Sequence, residues 1–255
     1  MRGQIRVSRE SGVVWLTIDH PQHKNALTYA MWQDLERVLR ELAGDAAVRV
    51  VVLRGAGTDA FSAGADIREF PARRADDAAA GAYDRAVRSA VLALKRMTPI
   101  TVAMLRGDAV GGGAELALGA DTRFAGRSLR MAFTPAKLGI VYGPGETQEL
   151  IERVGASRAL DLLASGRAVS ADEALAWGLV NHVVDDEDLD NTVRDFLERI
   201  LHNSWEAVRR TKEMARRLMA GESPDSPELR RLVYEAYVHG DYEERVARFL
   251  DRKRR

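Results

Sequence analysis

The sequence predicts an α/β layered fold that finishes in a helical region. Three observations carry this. Periods of two and of 3.6 residues alternate along the first third of the chain. Two continuous apolar runs, Val50-Val51-Val52-Leu53 and Ile100-Thr101-Val102-Ala103-Met104-Leu105, suit strands covered on both faces. From about residue 145 the helical period takes over.

Residues 4–8 and 13–19 read as two strands joined by the turn Glu10-Ser11-Gly12. Met31, Leu35, Val38, Leu39 and Leu42 recur at helical spacing, with Thr28 as N-cap and Gly44 at the end. A strand at 49–54 and a glycine-rich segment lead to a helix at 76–97, marked by Tyr83, Val87, Val91 and Leu94. Pro99 precedes the second buried run, and residues 122–125 read as a further short strand. Ser170-Ala171-Asp172-Glu173 has the form of a capping box, and Gly178 stops the helix it starts. Ser226-Pro227 places an N-cap before a helix-starting proline, and Asp241-Tyr242-Glu243-Glu244 repeats the capping-box spacing. Residues 187–252 are nearly all helical in pattern and dense in Arg and Glu. Solvated amphipathic helices are the plain reading; the sharper one packs them on a neighbouring subunit. The expected division is a core over 1–195 and a helical region over 196–255.

At about 150 residues per domain, 255 residues make one large domain or a core with a small appendage. The chain has no cysteine, which removes disulfides, thiolate metal sites, iron–sulfur clusters and cysteine nucleophiles. Lys+Arg and Asp+Glu are both 38, so no global field steers the protein to nucleic acid or an anionic membrane. No apolar run reaches 18 residues, and the N-terminal stretch has no apolar segment of signal-peptide length. A cytoplasmic protein is expected.

Gly55-Ala56-Gly57-Thr58-Asp59-Ala60 fits the dinucleotide-binding pattern, but it opens no long helix and reads better as turn formers. Two other segments are more informative. In Phe61-Ser62-Ala63-Gly64-Ala65-Asp66-Ile67-Arg68-Glu69, Asp66 and Glu69 have capping-box spacing, so a helix should begin just after Ala65. In Gly111-Gly112-Gly113-Ala114-Glu115-Leu116, three glycines precede a Leu/Ala helix. Both place free amides where they can meet an anionic oxygen. Glu115 falls about one turn after Gly112, where a carboxylate can work on the atom beside the one the amide binds.

Together, about 47 residues apart and in this order, the two segments resemble the crotonase superfamily, the enoyl-CoA hydratases and isomerases. The resemblance spans nearly the whole chain. His20-Pro21-Gln22-His23-Lys24-Asn25-Ala26-Leu27 is similar to its first CoA-binding loop, and Ala174-Leu175-Ala176-Trp177-Gly178-Leu179-Val180-Asn181 to its late helix-and-strand signature. Phe249-Leu250-Asp251-Arg252-Lys253 is similar to its C-terminal end. The resemblance implies a spiral of ββα turns with a C-terminal helical trimerisation region, assembled as a trimer or a dimer of trimers. It also implies an acyl-CoA substrate, no metal or other cofactor, and an oxyanion hole formed by the amides of Ala65 and Gly112. His23, Lys24, Ala26, Ala63, Asp66, Ile67 and Arg252 take the CoA-contacting positions.

One departure stands out. Hydratases of this family carry a second Glu in a later segment, which falls here at Thr134-Pro135-Ala136, with Ala136 in its place. Glu115 is then the main acid/base. Tyr142 and Glu146 are the polar groups near the altered site, and Glu146 is either a helix cap or a second base. The segment from Thr134 to Tyr142 is similar to methylmalonyl-CoA decarboxylases. Three readings follow: an acyl-CoA isomerase or hydratase-like enzyme, an acyl-CoA decarboxylase, and a non-catalytic scaffold binding CoA esters, or RNA through Arg209, Arg210, Lys212, Arg216 and Arg217. Interspersed Glu206, Glu213 and Glu222 weigh against RNA.

Overall fold

The structure, a computed structural model, describes residues 3–252. Strands β1 (Gln4–Glu10) and β2 (Val13–Asp19) form a hairpin whose turn residues, Ser11 and Gly12, both have positive φ. After helix α1 (Tyr29–Ala43) the chain makes three similar turns. The first contains β3 (Val50–Gly55), β4 (Ala60–Ser62), a short α2 (Phe70–Arg73) and a long α3 (Asp77–Lys95). The second contains β5 (Ile100–Leu105), β6 (Asp108–Val110) and α4 (Gly112–Leu118). The third contains β7 (Thr122–Gly126), β8 (Arg130–Ala132), α5 (Pro144–Val154) and α6 (Ala156–Ser165). Strand β9 (Ala168–Ser170), α7 (Ala171–Ala176) and β10 (His182–Val184) follow. Helices α8 (Leu189–His202), α9 (Trp205–Met219), α10 (Pro227–His239) and α11 (Tyr242–Arg252) complete the described chain.

Each turn gives its first strand to one sheet and its second to another. The large sheet has the order β1-β2-β3-β5-β7-β10, the small one β4-β6-β8-β9. All pairs are parallel except β1–β2 and β8–β9. This is the spiral of ββα turns expected above.

The continuous apolar runs are explained by what covers each face. Val51 and Leu53 on β3 join the main core with Ala103, Leu105 and the apolar face of α1. Val50 and Val52 point the other way, with Val102, Met104 and Phe124, and meet Leu189, Val193, Leu197 and Ile200 of α8. Alternate side chains of one strand are thus buried on opposite faces. Helix α9 is tied down by Lys212, whose buried ammonium donates to the Pro99 carbonyl at 2.6 Å and to Asp121 at 2.5 Å. Asp121 also takes the Thr101 amide at 2.7 Å.

The predicted caps of α1 and α7 form: Thr28 accepts from the Met31 amide, and Ser170 and Glu173 make a reciprocal capping box. Two expectations are corrected. No full helix starts after Ala65; Ile67–Glu69 is a single 3₁₀ turn, with Asp66 accepting from the Arg68 amide. Glu69 instead receives the Tyr29 amide at 2.6 Å, so the return bond of a capping box is missing, and the long helix waits for its cap at Asp76. At the start of α11, the Asp241 carboxylate holds Ser204 and Arg245. Among the described residues no helix is long and apolar enough to cross a membrane.

Candidate active site

Two loops meet to build the site. Asn25, held at positive φ, donates to the Ala56 and Ala60 carbonyls at 2.9 and 2.7 Å, while its side-chain oxygen accepts from the His20 amide. Ser62 donates to the Asn25 carbonyl at 2.8 Å and accepts the Gly64 amide at 3.1 Å, so its hydroxyl is structural. The Leu27 amide donates to the Gly64 carbonyl at 2.7 Å. That carbonyl shares a trans peptide with the Ala65 N–H, which must therefore point the opposite way, toward the turn before α4. Gly112 opens α4, so its amide has no carbonyl four residues back.

The two amides are neighbours: a Cβ on Gly112 would stand 3.7 Å from the Ala65 nitrogen. Neither has an acceptor among the described residues. Gly64 is required by this approach. Its φ is +87°, and a Cβ there would fall 2.5 Å from the Val110 carbonyl and 2.9 Å from the Gly112 nitrogen.

A cavity of about 450 Å³ lies in front of the amides, with Ala65, Gly112, Glu115, Tyr142 and Glu146 on its wall. Glu115 stands one helical turn after Gly112 and has no ion-pair partner among the described residues, so its charge is poorly compensated. Burial, and then repulsion from Glu146, raise its pKa from 4.5 to about 7. The Tyr142 hydroxyl is buried beside Glu115 but falls short of a well-formed hydrogen bond to it. Burial, reinforced by Glu115, pushes the Tyr142 pKa upward, so the phenol stays protonated and can only be a donor or a neutral acceptor. Glu146 sits in the first turn of α5, yet no side-chain cap bond forms there; its carboxylate folds over Gly143. Glu146 thus stands over the start of α5 and also borders the cavity. Thr134 and Pro135 also line it, whereas Ala136 is exposed and does not.

Ala63 and Ile67 border the same cavity. His23, Lys24, Ala26 and Asp66 occupy the seam beside it. Asp66 is buried and ion-paired with Arg68, which holds its carboxyl below the usual carboxylate range; His23 Nε2 lies 2.7 Å from Arg68 Nη1. Lys24 pairs with Asp108 at 2.8 Å, and the buried Ala26 offers its carbonyl to the His20 ring. Arg252 ends α11, and its side chain lies outside the described residues. Trp32, Arg74 and Tyr83 also line the cavity and were missed from sequence. Trp32 and Tyr83 sit on apolar helical stripes and read there as core. Their polar tips were the only available signal. Among the described residues no group of three or more His, Asp or Glu is placed to hold a metal.

The spiral of ββα turns defines a crotonase fold. The sequence signature of the enoyl-CoA hydratase/isomerase family matches residues 8–255. The short-chain-enoyl-CoA hydratase of Clostridium acetobutylicum is 33% identical over 213 residues, covering 84% of this chain and 81% of that protein. The solved enoyl-CoA hydratase/carnithine racemase of Magnetospirillum magneticum superposes with a TM-score of 0.92 at 34% identity, covering 97% and 92% of the two chains. The enoyl-CoA hydratase of Bacillus anthracis gives a TM-score of 0.91 at 30% identity over 98% and 96%. The chain belongs to the enoyl-CoA hydratase/isomerase family, within the crotonase superfamily.

Proposed function

We propose that this acyl-CoA enzyme moves a proton next to a thioester carbonyl, with Glu115 as its main acid/base. The observation that carries the reading is the pairing of two unengaged amides with a carboxylate one turn away on the same cavity wall. The Ala65 and Gly112 N–H groups hold the thioester oxygen as it gains negative charge. Such donors typically contribute roughly 2.7–4 kcal/mol each to the barrier. Glu115 removes a proton from the carbon chain, electrons flow into the thioester as an enolate, and return of the proton at a different carbon shifts the double bond. In hydration, the oxygen of a water adds to C3 as Glu115 takes one of its protons, the electrons pass into the thioester as an enolate, and Glu115 returns that proton to C2. Nothing beyond the chain, the CoA ester and, for hydration, a water is required.

A pKa near neutrality suits both directions of transfer. Tyr142 orients the acyl group as a donor, and Glu146 is a second carboxylate that keeps Glu115 basic. Ala136 is exposed and does not line the cavity, so the segment in which family hydratases carry a second Glu brings no carboxylate to Glu115 here. Ala63, Ile67 and the seam of His23, Lys24, Ala26 and Asp66 guide the CoA arm by backbone and edge contacts, with Arg252 reaching a neighbouring subunit's ligand.

A trimer or dimer of trimers is supported by exposed Tyr234, Tyr237 and Val238 on α10 and Tyr242 and Val246 on α11. The basic residues of α9 do not form a free RNA-binding patch: Arg209 pairs with Glu206, Arg210 with Glu235, Lys212 with Asp121 and Arg217 with Glu222. The absence of cysteine supports a reducing, cytoplasmic setting.

The test is incubation with enoyl-, 3-hydroxyacyl- and malonyl-type CoA esters, read by mass spectrometry with chromatographic separation of isomers. Hydration or double-bond migration lost in Glu115→Gln by a factor of at least ~10² supports the reading. Loss of carbon dioxide from the malonyl-type ester alone would overturn it in favour of decarboxylation.

A further inference from the structure

Four buried polar atoms on residues of the cavity wall have no hydrogen-bond partner among the described residues. Tyr142 Oη lies beside Glu115 and belongs to the proton-transfer site; the other three, Trp32 Nε1, Tyr83 Oη and Arg74 Nε, take no part in that transfer. Trp32 and Tyr83 are completely buried, each at 0% exposure. They come from different helices, α1 and α3, so no single helix face explains their meeting.

The indole N–H and the guanidinium Nε–H can only donate. The indole and phenol approach each other without forming a well-aligned bond. Were the indole to donate to the phenol oxygen, the phenol proton would still lack an acceptor. The guanidinium of Arg74 is held 4.5 Å above the Phe70 ring and 5.3 Å from the Tyr83 ring, with its Nη2 on Asp84 at 2.8 Å. Glu69, an acceptor nearby in sequence, is committed to the Tyr29 amide at 2.6 Å. The corner therefore gathers unmet donors, while its acceptors Asp84 and Glu69 are engaged by Arg74 Nη2 and the Tyr29 amide. The free protein already carries the cost of these buried, unmet donors; an oxygen acceptor on the acyl chain would relieve it, whereas an alkyl chain would not.

We propose that this corner selects CoA esters whose acyl chain carries an oxygen acceptor, a carboxylate or a ketone, a few bonds beyond the thioester. The proposal rests on the reading of the cavity as an acyl-CoA site and deepens it. The Trp32 and Tyr83 donors serve either acceptor, and the charge on Arg74 adds a preference for the carboxylate.

The test is calorimetric titration of the full chain with three saturated five-carbon esters that cannot undergo the proposed reaction: pentanoyl-CoA, 4-oxopentanoyl-CoA and glutaryl-CoA. At least one oxygenated ester is expected to bind roughly tenfold more tightly than pentanoyl-CoA, the scale of one well-made buried hydrogen bond. A glutaryl preference alone assigns the acceptor as a carboxylate; a preference shared by both oxygenated esters assigns any carbonyl oxygen. Tyr83→Phe, which removes one oxygen from a buried wall, should shrink that advantage while pentanoyl-CoA affinity holds. Arg74→Met, at a partly exposed position, should shrink the glutaryl-CoA advantage specifically. Pentanoyl-CoA binding as tightly as both oxygenated esters overturns the proposal, as does an advantage untouched by both substitutions. If none of the three esters binds, the acyl-CoA reading itself falls, an outcome distinct from lost selectivity.

Discussion

Neutralising Glu146 is expected to lower the pH at which Glu115 gains its proton. Burial is the larger cause of the rise in the Glu115 pKa from 4.5 to about 7, and Glu146 is the next. At about 1.4 kcal/mol per tenfold change in proton affinity, that rise disfavours the ionised form by about 3.5 kcal/mol. Because Glu146 is the second of these causes, Glu146→Gln should move the inflection down by on the order of one pH unit. The assay is kcat/KM for an enoyl-CoA ester from pH 5 to 9, each enzyme normalised to its own plateau. If Glu115 must be ionised to take a proton, the wild-type rate rises through about pH 7. At pH 6 only roughly a tenth of wild-type Glu115 is ionised, against about half in the variant, so the variant should retain several times more of its plateau rate. The inflection belongs to the coupled pair and is read as such. An inflection that stays put, or moves up, in Glu146→Gln would refute this electrostatic account. The stability sign follows from the same shift. Because the folded pKa is raised, the stabilisation it reflects is complete below pH 4.5 and is lost as pH rises through about 7. Glu115→Gln should therefore raise the melting temperature at pH 8 and leave it nearly unchanged at pH 4.5.

Three further outcomes are expected. Gly64→Ala forces a Cβ against the Val110 carbonyl and the Gly112 nitrogen at a φ of +87°, so turnover should drop by ~10²–10³ while the fold, checked by circular dichroism, persists. Lys212→Met strips Asp121 of its buried ammonium and leaves the Pro99 carbonyl without its donor, and urea denaturation should show a loss of about 3 kcal/mol. Ala136→Glu places a carboxylate on the exposed side of its one-turn helix, outside the cavity, so crotonyl-CoA hydration should not rise; a clear gain would show that this segment turns inward in the working enzyme.

Much of this protein is legible in its sequence because local rules act on local neighbours. The face of α1, its Thr28 cap and the Ser170–Glu173 box follow from spacing alone, and each is found in place. The unbroken apolar runs at β3 and β5 announce strands buried on both sides. Gly64, Gly111 and Gly112 mark where two backbones come close, and in the sequence alone they point to Ala65 and Glu115. Tertiary structure decided what depends on partners far along the chain. The four strands of the small sheet are too short to show a period, and only pairing with one another makes them strands. Glu69 has the spacing of a capping residue, but the Tyr29 amide, 40 residues away, takes its carboxylate. Glu146 has the spacing of a residue at a helix start, and only the packing of α5 shows that it also borders the cavity. Trp32 and Tyr83 look like core in any helical wheel, because periodicity reports that a side chain is buried and is silent on whether its polar tip finds a partner there. That depends on how α1 and α3 pack around the cavity, a long-range contact that no local pattern encodes.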